Sequence, residues 1–213
     1  MKPLNLLLLL PTLALLVAGC ANTSRSRELN NPAVSGQTLA MQVCSNCHGV
    51  RGVSQSPNFP NLAAQQPDYI VGELTSFRER HRHDPAGFEY MWGISRHLSD
   101  AQIHELAAYY AGQPPAQAAY PPEPQAAATG KALFTQGAPE RGIPACASCH
   151  GPRGEGAGSF PRLAGQHADY VTKQLGIFHR SGDERPLGSV MTTVGHQLTP
   201  ADIAAVATFV ESL

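Results

Sequence analysis

The pentapeptide Cys-x-x-Cys-His occurs twice, as Cys44-Ser45-Asn46-Cys47-His48 and as Cys146-Ala147-Ser148-Cys149-His150. That spacing is the signature of c-type haem attachment. Two thiols one helical turn apart add across the two vinyl groups of one porphyrin, and the adjacent imidazole ligates the iron from one face. The motifs predict two haem c groups held through Cys44, Cys47, Cys146 and Cys149, with His48 and His150 as axial iron ligands. The competing reading is a zinc ribbon, in which two Cys-x-x-Cys pairs share one tetrahedral ion. Ribbon pairs stand roughly 15–20 residues apart. Here the first cysteines of the pairs are 102 positions apart, and each pair carries its own His. Redox chemistry is therefore the first expectation.

The chain begins with a secretory layout. Lys2 is followed by an apolar stretch from Leu4 to Val17, and Val17-Ala18-Gly19 leads into Cys20. The stretch is short and interrupted for a membrane-spanning helix of about 20 apolar residues. Small residues running directly into Cys resemble a bacterial lipobox, which predicts a signal peptide over 1–19 and lipidation of Cys20. Cysteine arithmetic agrees. There are five Cys, four belong to the haem motifs and Cys20 is the fifth. No thiol is left for a disulfide or a catalytic nucleophile. Residues 20–35, rich in Asn, Ser and Arg, read as a flexible tether. The expected location is the bacterial periplasm, on a membrane surface.

The rest of the chain repeats itself. His48-Gly49-Val50-Arg51-Gly52 matches His150-Gly151-Pro152-Arg153-Gly154, and Phe59-Pro60-Asn61-Leu62-Ala63 matches Phe160-Pro161-Arg162-Leu163-Ala164. The offset drifts only from 102 through 101 to 100. Between the halves, residues 113–124 contain five prolines, which disfavour a regular helix and suit an extended connector. The expected organisation is one domain over 36–113, a Pro/Ala-rich linker over 114–129 and a second domain over 130–213. Each domain is near the lower size limit for a self-sufficient core, so a covalently held haem is expected to supply missing apolar mass.

Both halves read as all-α. Short helices are expected at 36–43 and 130–136. Longer ones over 66–80 and 167–179 follow from the helical spacing of Tyr69, Ile70, Leu74 and Phe77, repeated by Tyr170, Val171, Leu175 and Phe178. Terminal helices start at Ser99, with Gln102 completing a capping box, and at Thr199, followed by Pro200. Net charge is −1 at pH 7, equally distributed between the halves and without a basic block, so nothing suggests nucleic acid.

The second axial ligand decides between electron transfer and chemistry on a bound substrate. If both irons are ligated alike, the ligands stand at matching positions of the repeat. Met91 and Met191 match at offset 100, each eight residues before a helix cap, and are assigned as the sulfur ligands. The seven His outside the motifs find no His at the matching positions. Thioether sulfur favours ferrous iron and raises the potential relative to a second imidazole. A ligating imidazole usually donates its other N–H to a fixed acceptor.

Taken together, each half resembles a class I cytochrome c, and the tandem resembles the dihaem cytochrome c4 family. The residues that carry this are the paired motifs, the Phe-Pro-x-Leu-Ala segments, the paired Met and the Gly142-Ile143-Pro144-Ala145-Cys146 approach to the second motif. The resemblance covers about 36–213. It implies that the carbonyls of Pro60 and Pro161 accept the Nδ1–H of His48 and His150. It also implies a periplasmic electron carrier with no catalytic residues and no small-molecule substrate. Such a carrier would run between a cytochrome bc complex or a dehydrogenase and a terminal oxidase, here as a lipoprotein variant. The alternatives are an obligate cytochrome subunit of a dehydrogenase and, further off, a dihaem peroxidase or thiosulfate-oxidising enzyme.

Overall fold

A computed structural model describes residues 27–117 and 124–213. The expected signal peptide, Cys20 and most of the expected tether lie outside the described residues, as does 118–123 of the expected linker.

In the first half, Ser35 caps α1 (Gly36–Leu39), its hydroxyl accepting from Thr38 N–H. The helix continues through a π-helical turn, Ala40–Cys44, into α2 (Ser45–His48), so the first haem motif is wound on a helix end. After an irregular segment come α3 (Pro67–Arg78), the short α4 (Pro85–Gly87), a π-helical turn at Phe88–Trp92, α5 (Gly93–Ser95) and α6 (Asp100–Ala111). The second half follows the same order: α7 (Pro124–Gln136), α8 (Ala147–His150), α9 (Ala168–Arg180), α10 (Ser189–Gly195) and α11 (Pro200–Glu211). Among the described residues no strand forms; Ala138–Ile143 and Ala157–Phe160 are isolated bridges. The chain is all-α.

The capping box expected at Ser99 forms, and the helix start expected at Thr199 proves to be a second one. Ser99 and Gln102 bond reciprocally at the start of α6, and Thr199 and Asp202 do so at the start of α11. One element departs from the sequence reading. Helix α7 begins at Pro124, six residues before the expected start, so 124–129 is helix rather than linker. Proline is tolerated in the first turn, where its missing N–H would have no partner anyway, and the alanines after it are good helix formers.

Each half closes around its own core. Leu39, Ile70, Leu98, Ile103, Leu106 and Tyr110 form the first, and Phe134, Ile143, Val171, Leu198, Val206 and Val210 the second. In both, the first helix crosses the last at a glycine. A Cβ on Gly36 would lie 2.5 Å from Glu105 Cβ and 2.7 Å from Leu106 N. One on Gly130 would lie 2.1 Å from Ala205 O. Only glycine permits that approach. The two crossings are equivalent, although Gly36 precedes its haem motif by 8 residues and Gly130 by 16.

Candidate haem sites and the face between them

The two motifs fold alike. Gly49 and Gly151 follow the helix-terminating His at φ +73° and +82°, turning the chain back sharply. That return brings the Phe-Pro segment under the imidazole. His48 Nδ1 lies 2.9 Å from Pro60 O, and His150 Nδ1 lies 2.9 Å from Pro161 O. A carbonyl only accepts, so each Nδ1 carries the proton and each Nε2 presents its lone pair. Both imidazoles are buried, and burial lowers their pKa against the opposing pull of the proline carbonyls. They therefore stay neutral, the form that ligates a metal.

The thiols are unbridged by disulfides. As free thiols, before haem is attached, Cys44 and Cys146 are pushed up to about 11 by burial. The pairs sit in separate halves. Among the described residues no cluster of three or more His, Cys, Asp or Glu gathers as a metal cage.

The surroundings suit a large flat apolar group. Phe59 and Phe160 each stand edge-on to their imidazole, with ring centroids 6.3 Å apart. Tyr90 meets Phe59 at 6.0 Å, so an aromatic chain runs from His48 to the residue beside Met91. Val50, Tyr90, Phe160 and Val190 stay 41–62% exposed, which is unusual for large apolar side chains placed beside the motifs and the paired Met. Protein atoms leave these apolar surfaces uncovered, and a porphyrin would cover them. The residues present fit haem c at both sites.

Met91 lies in the π-helical turn Phe88–Trp92 and Met191 in α10; both are half-buried. Other histidines bond locally. His104 Nδ1 is 2.8 Å from Asp100 O, and His179 Nδ1 is 3.0 Å from Gly195 O.

Sequence reasoning missed the face between the halves. It is polar and nearly two-fold. Gln65 accepts from Arg162 N at 2.6 Å and donates to Arg162 O at 3.0 Å. Its repeat partner Gln166 accepts from Asn61 N at 2.8 Å and donates to Asn61 O at 2.9 Å. Gln66 donates to Glu155 O at 2.9 Å, while His167, at the matching position, bonds Ser54 O through Nε2 at 3.1 Å.

Beside these clamps lies a buried ionic cluster. Arg82 bonds Glu73, Asp84 at 2.6 Å and Gln174 at 3.2 Å. Arg185 bonds Glu73 at 2.7 Å, Gln174 at 2.7 Å and the Tyr69 hydroxyl at 3.0 Å. Glu73 and Gln174 occupy matching positions, so one carboxylate serves an arginine from each half. Burial alone would raise the Glu73 carboxyl, but Arg82 and Arg185 outweigh it and hold it down at about 2. The available sequence signal was a charged or amide residue at repeat-matched positions of otherwise apolar helix faces.

The cytochrome c family model matches residues 33–112 and 127–213. Cytochrome c4 of Thiocapsa roseopersicina is 39% identical over 183 residues, covering 84% of this chain and 91% of that protein. A protein of Thiomonas intermedia named thiosulfate dehydrogenase electron acceptor is 39% identical over 170 residues, covering 77% of this chain and 75% of that one. The structure of Acidithiobacillus ferrooxidans cytochrome c4 superposes with a TM-score of 0.74 at 38% identity, covering 80% of this chain and 98% of that one. With the twinned histidine–proline pairs already in place, these likenesses leave one assignment: the chain belongs to the cytochrome c family, in its dihaem cytochrome c4 branch, and carries two covalently bound haem c groups.

Proposed function

We propose that this dihaem electron carrier works as a closed-site relay in the periplasm, tethered to a membrane through a lipid on Cys20. It would take electrons from a cytochrome bc complex or a dehydrogenase and deliver them to a terminal oxidase. The observation that carries this reading is the duplication of the proximal arrangement, His Nδ1–H to proline carbonyl at 2.9 Å in both halves. Haem iron supplies the one-electron chemistry. The protein's part is to anchor each porphyrin through Cys44 and Cys47 or Cys146 and Cys149. With haem bound, His48 and His150 would ligate the iron through Nε2, and Met91 and Met191 would supply the sulfur that completes its ligation. A closed iron changes its coordination little on electron transfer and offers no position to a substrate, so we assign no catalytic residue.

The polar clamps between the halves support a second element of this reading. Bonds matched across the repeat fix the two halves against each other and so fix the path between the haems. Among the described residues no helix is long and apolar enough to cross a membrane. We place the anchor at Cys20, where a lipid tether would raise the carrier's effective concentration beside membrane partners.

The Thiomonas relative's name favours a second reading, in which the protein is the dedicated electron acceptor of a thiosulfate dehydrogenase. One experiment separates the two. The reduced protein is mixed with oxidase-containing membranes, and the oxidised protein with thiosulfate in the presence and absence of a cell extract. Both readings expect no reduction by thiosulfate alone; a general carrier is oxidised by the membranes, whereas a dedicated acceptor is reduced by thiosulfate once the extract is added and is not oxidised by the membranes. Reduction by thiosulfate without the extract would overturn the closed-site reading. Loss of membrane attachment in Cys20→Ser tests the anchor, and retention there would contradict it.

A further inference from the structure

The residue after Met91 is Trp92, half-buried and stacked on Phe88 with ring centroids 5.5 Å apart and planes 12° from parallel. Two guanidinium groups lie against its ring, Arg80 at 4.2 Å and Arg96 at 5.0 Å from the centroid. Both arginines are exposed, and neither joins an ion pair among the described residues. Arg80 stands in the left-handed region at φ +63°, two residues past the end of α3. Exposed His81, His83 and His97 flank the cluster. Nearby carboxylates are either engaged or apart. Glu79 lies against Arg78 and His81, Asp84 is buried on Arg82, and exposed Glu89 pairs with neither arginine.

The second half has no counterpart. Pro85-Ala86-Gly87 recurs as Pro186-Leu187-Gly188, after which the repeat offers Ser189 in place of Phe88, Thr192 in place of Trp92 and His196 in place of Arg96, while Ser181 stands at the position of Arg80. The neighbouring Arg180 is taken up by Glu184 at 2.9 Å. A feature that served only to close a cytochrome domain would be expected in both halves.

We propose that this face of the first half, centred on Trp92 with Arg80 and Arg96 against it, docks a carboxylate-rich surface of a protein redox partner. Tryptophan and arginine are the side chains that most often dominate association energy. A guanidinium stacked on an indole keeps its planar fork of donors free for carboxylates. Stacking limits the freedom it has left to lose on binding. Free positive charge steers an acidic partner and fixes its register. The patch adjoins the residue assigned as the first sulfur ligand, so a partner seated there meets the first haem domain and not the second. The inference deepens the carrier reading and rests on it.

The test uses the mature dihaem protein and gold bearing a carboxylate-terminated monolayer as the probe. Adsorption and electron exchange are read by voltammetry at low and high ionic strength. Wild type is expected to adsorb with a salt-sensitive affinity. Arg80→Gln/Arg96→Gln and Trp92→Ala are each expected to weaken it about tenfold. Arg80→Lys/Arg96→Lys is expected to retain the salt-sensitive part and lose the rest, because the charge is kept and the stacked planar fork is not. Lys131→Gln/Lys173→Gln removes the same charge from the second half and is expected to leave adsorption unchanged. Equal loss in that control, or no loss in the arginine variant, would overturn the proposal. So would arginine-dependent binding to phosphatidylglycerol vesicles without binding to the monolayer, which would identify a lipid surface. Dimerisation abolished by Trp92→Ala would identify a second copy of this chain instead. A solution redox titration with two reversibly reduced haems in every variant keeps the carrier reading intact whichever way docking falls.

Discussion

At the scale of single residues, the chemistry is concentrated in a few short repeats. The proximal side is defined by three elements in a row: a motif that ends on His, a glycine at positive φ, and a proline whose carbonyl returns to the imidazole. The motif stands in the sequence because it is local and occurs twice; the proline's role was implied by the resemblance, and the positive φ of Gly49 and Gly151 emerged only in the structure. We assign the distal side to Met91 and Met191 on their matching positions in the repeat. Met91→Ala and Met191→Ala are each expected to open one iron. Each should halve the charge-transfer band of sulfur bound to ferric iron and let the reduced form bind one carbon monoxide per chain. A His in place of either Met is expected to keep that iron closed and to lower its potential, because a second imidazole does not favour ferrous iron as thioether does. Optical titration of the variants checks both statements. Unchanged bands in Met91→Ala would remove it from the ligand set.

At the scale of elements, two features place the haem motifs. The first is the crossing of the first and last helices of each half. Gly36→Ala and Gly130→Ala put a methyl against the backbone of the facing helix. Each is expected to cost about 1–3 kcal/mol, the usual range for overpacking a tight contact. Gly130 should be the more severe, since its Cβ would meet a carbonyl oxygen at 2.1 Å. Denaturant unfolding of the holoprotein measures this, and wild-type midpoints would show that the helices slide apart freely. The second feature is capping. Ser99–Gln102 was legible because a capping box is a four-residue pattern, and Thr199 was legible as a cap, although the return bond from Asp202 emerged only in the structure. The start of α7 was misread because a proline-rich run argues against helix on average, whereas Pro124 alone stands where proline is accepted.

At the scale of the whole molecule, the halves are joined by groups that no local pattern announces. Gln65, Gln166, Glu73, Arg82 and Arg185 acquire their roles only when one half docks on the other. A Gln that clamps a distant backbone looks, in sequence, like a Gln on a surface. Removing one member of a buried ionic cluster leaves its partners uncompensated, which typically costs about 3–5 kcal/mol. Glu73→Gln is therefore expected to destabilise the docked pair near neutral pH. The pH dependence has a definite sign. Glu73 is held at about 2, below its ordinary value of 4.5. Its contribution is fully present above about 4.5 and is lost as pH falls towards 2. The stability difference between wild type and Glu73→Gln should shrink over that window. A difference independent of pH would show that Glu73 acts by packing rather than by charge.

The central claim is that both irons are closed by sulfur and the molecule only passes electrons on. An optical redox titration of the mature protein, with haem counted per chain and carbon monoxide added to the reduced form, tests it most directly. Two haems per chain, both showing the sulfur-to-ferric-iron band and neither taking up carbon monoxide, is the expected result. One haem without the band that binds carbon monoxide would contradict it.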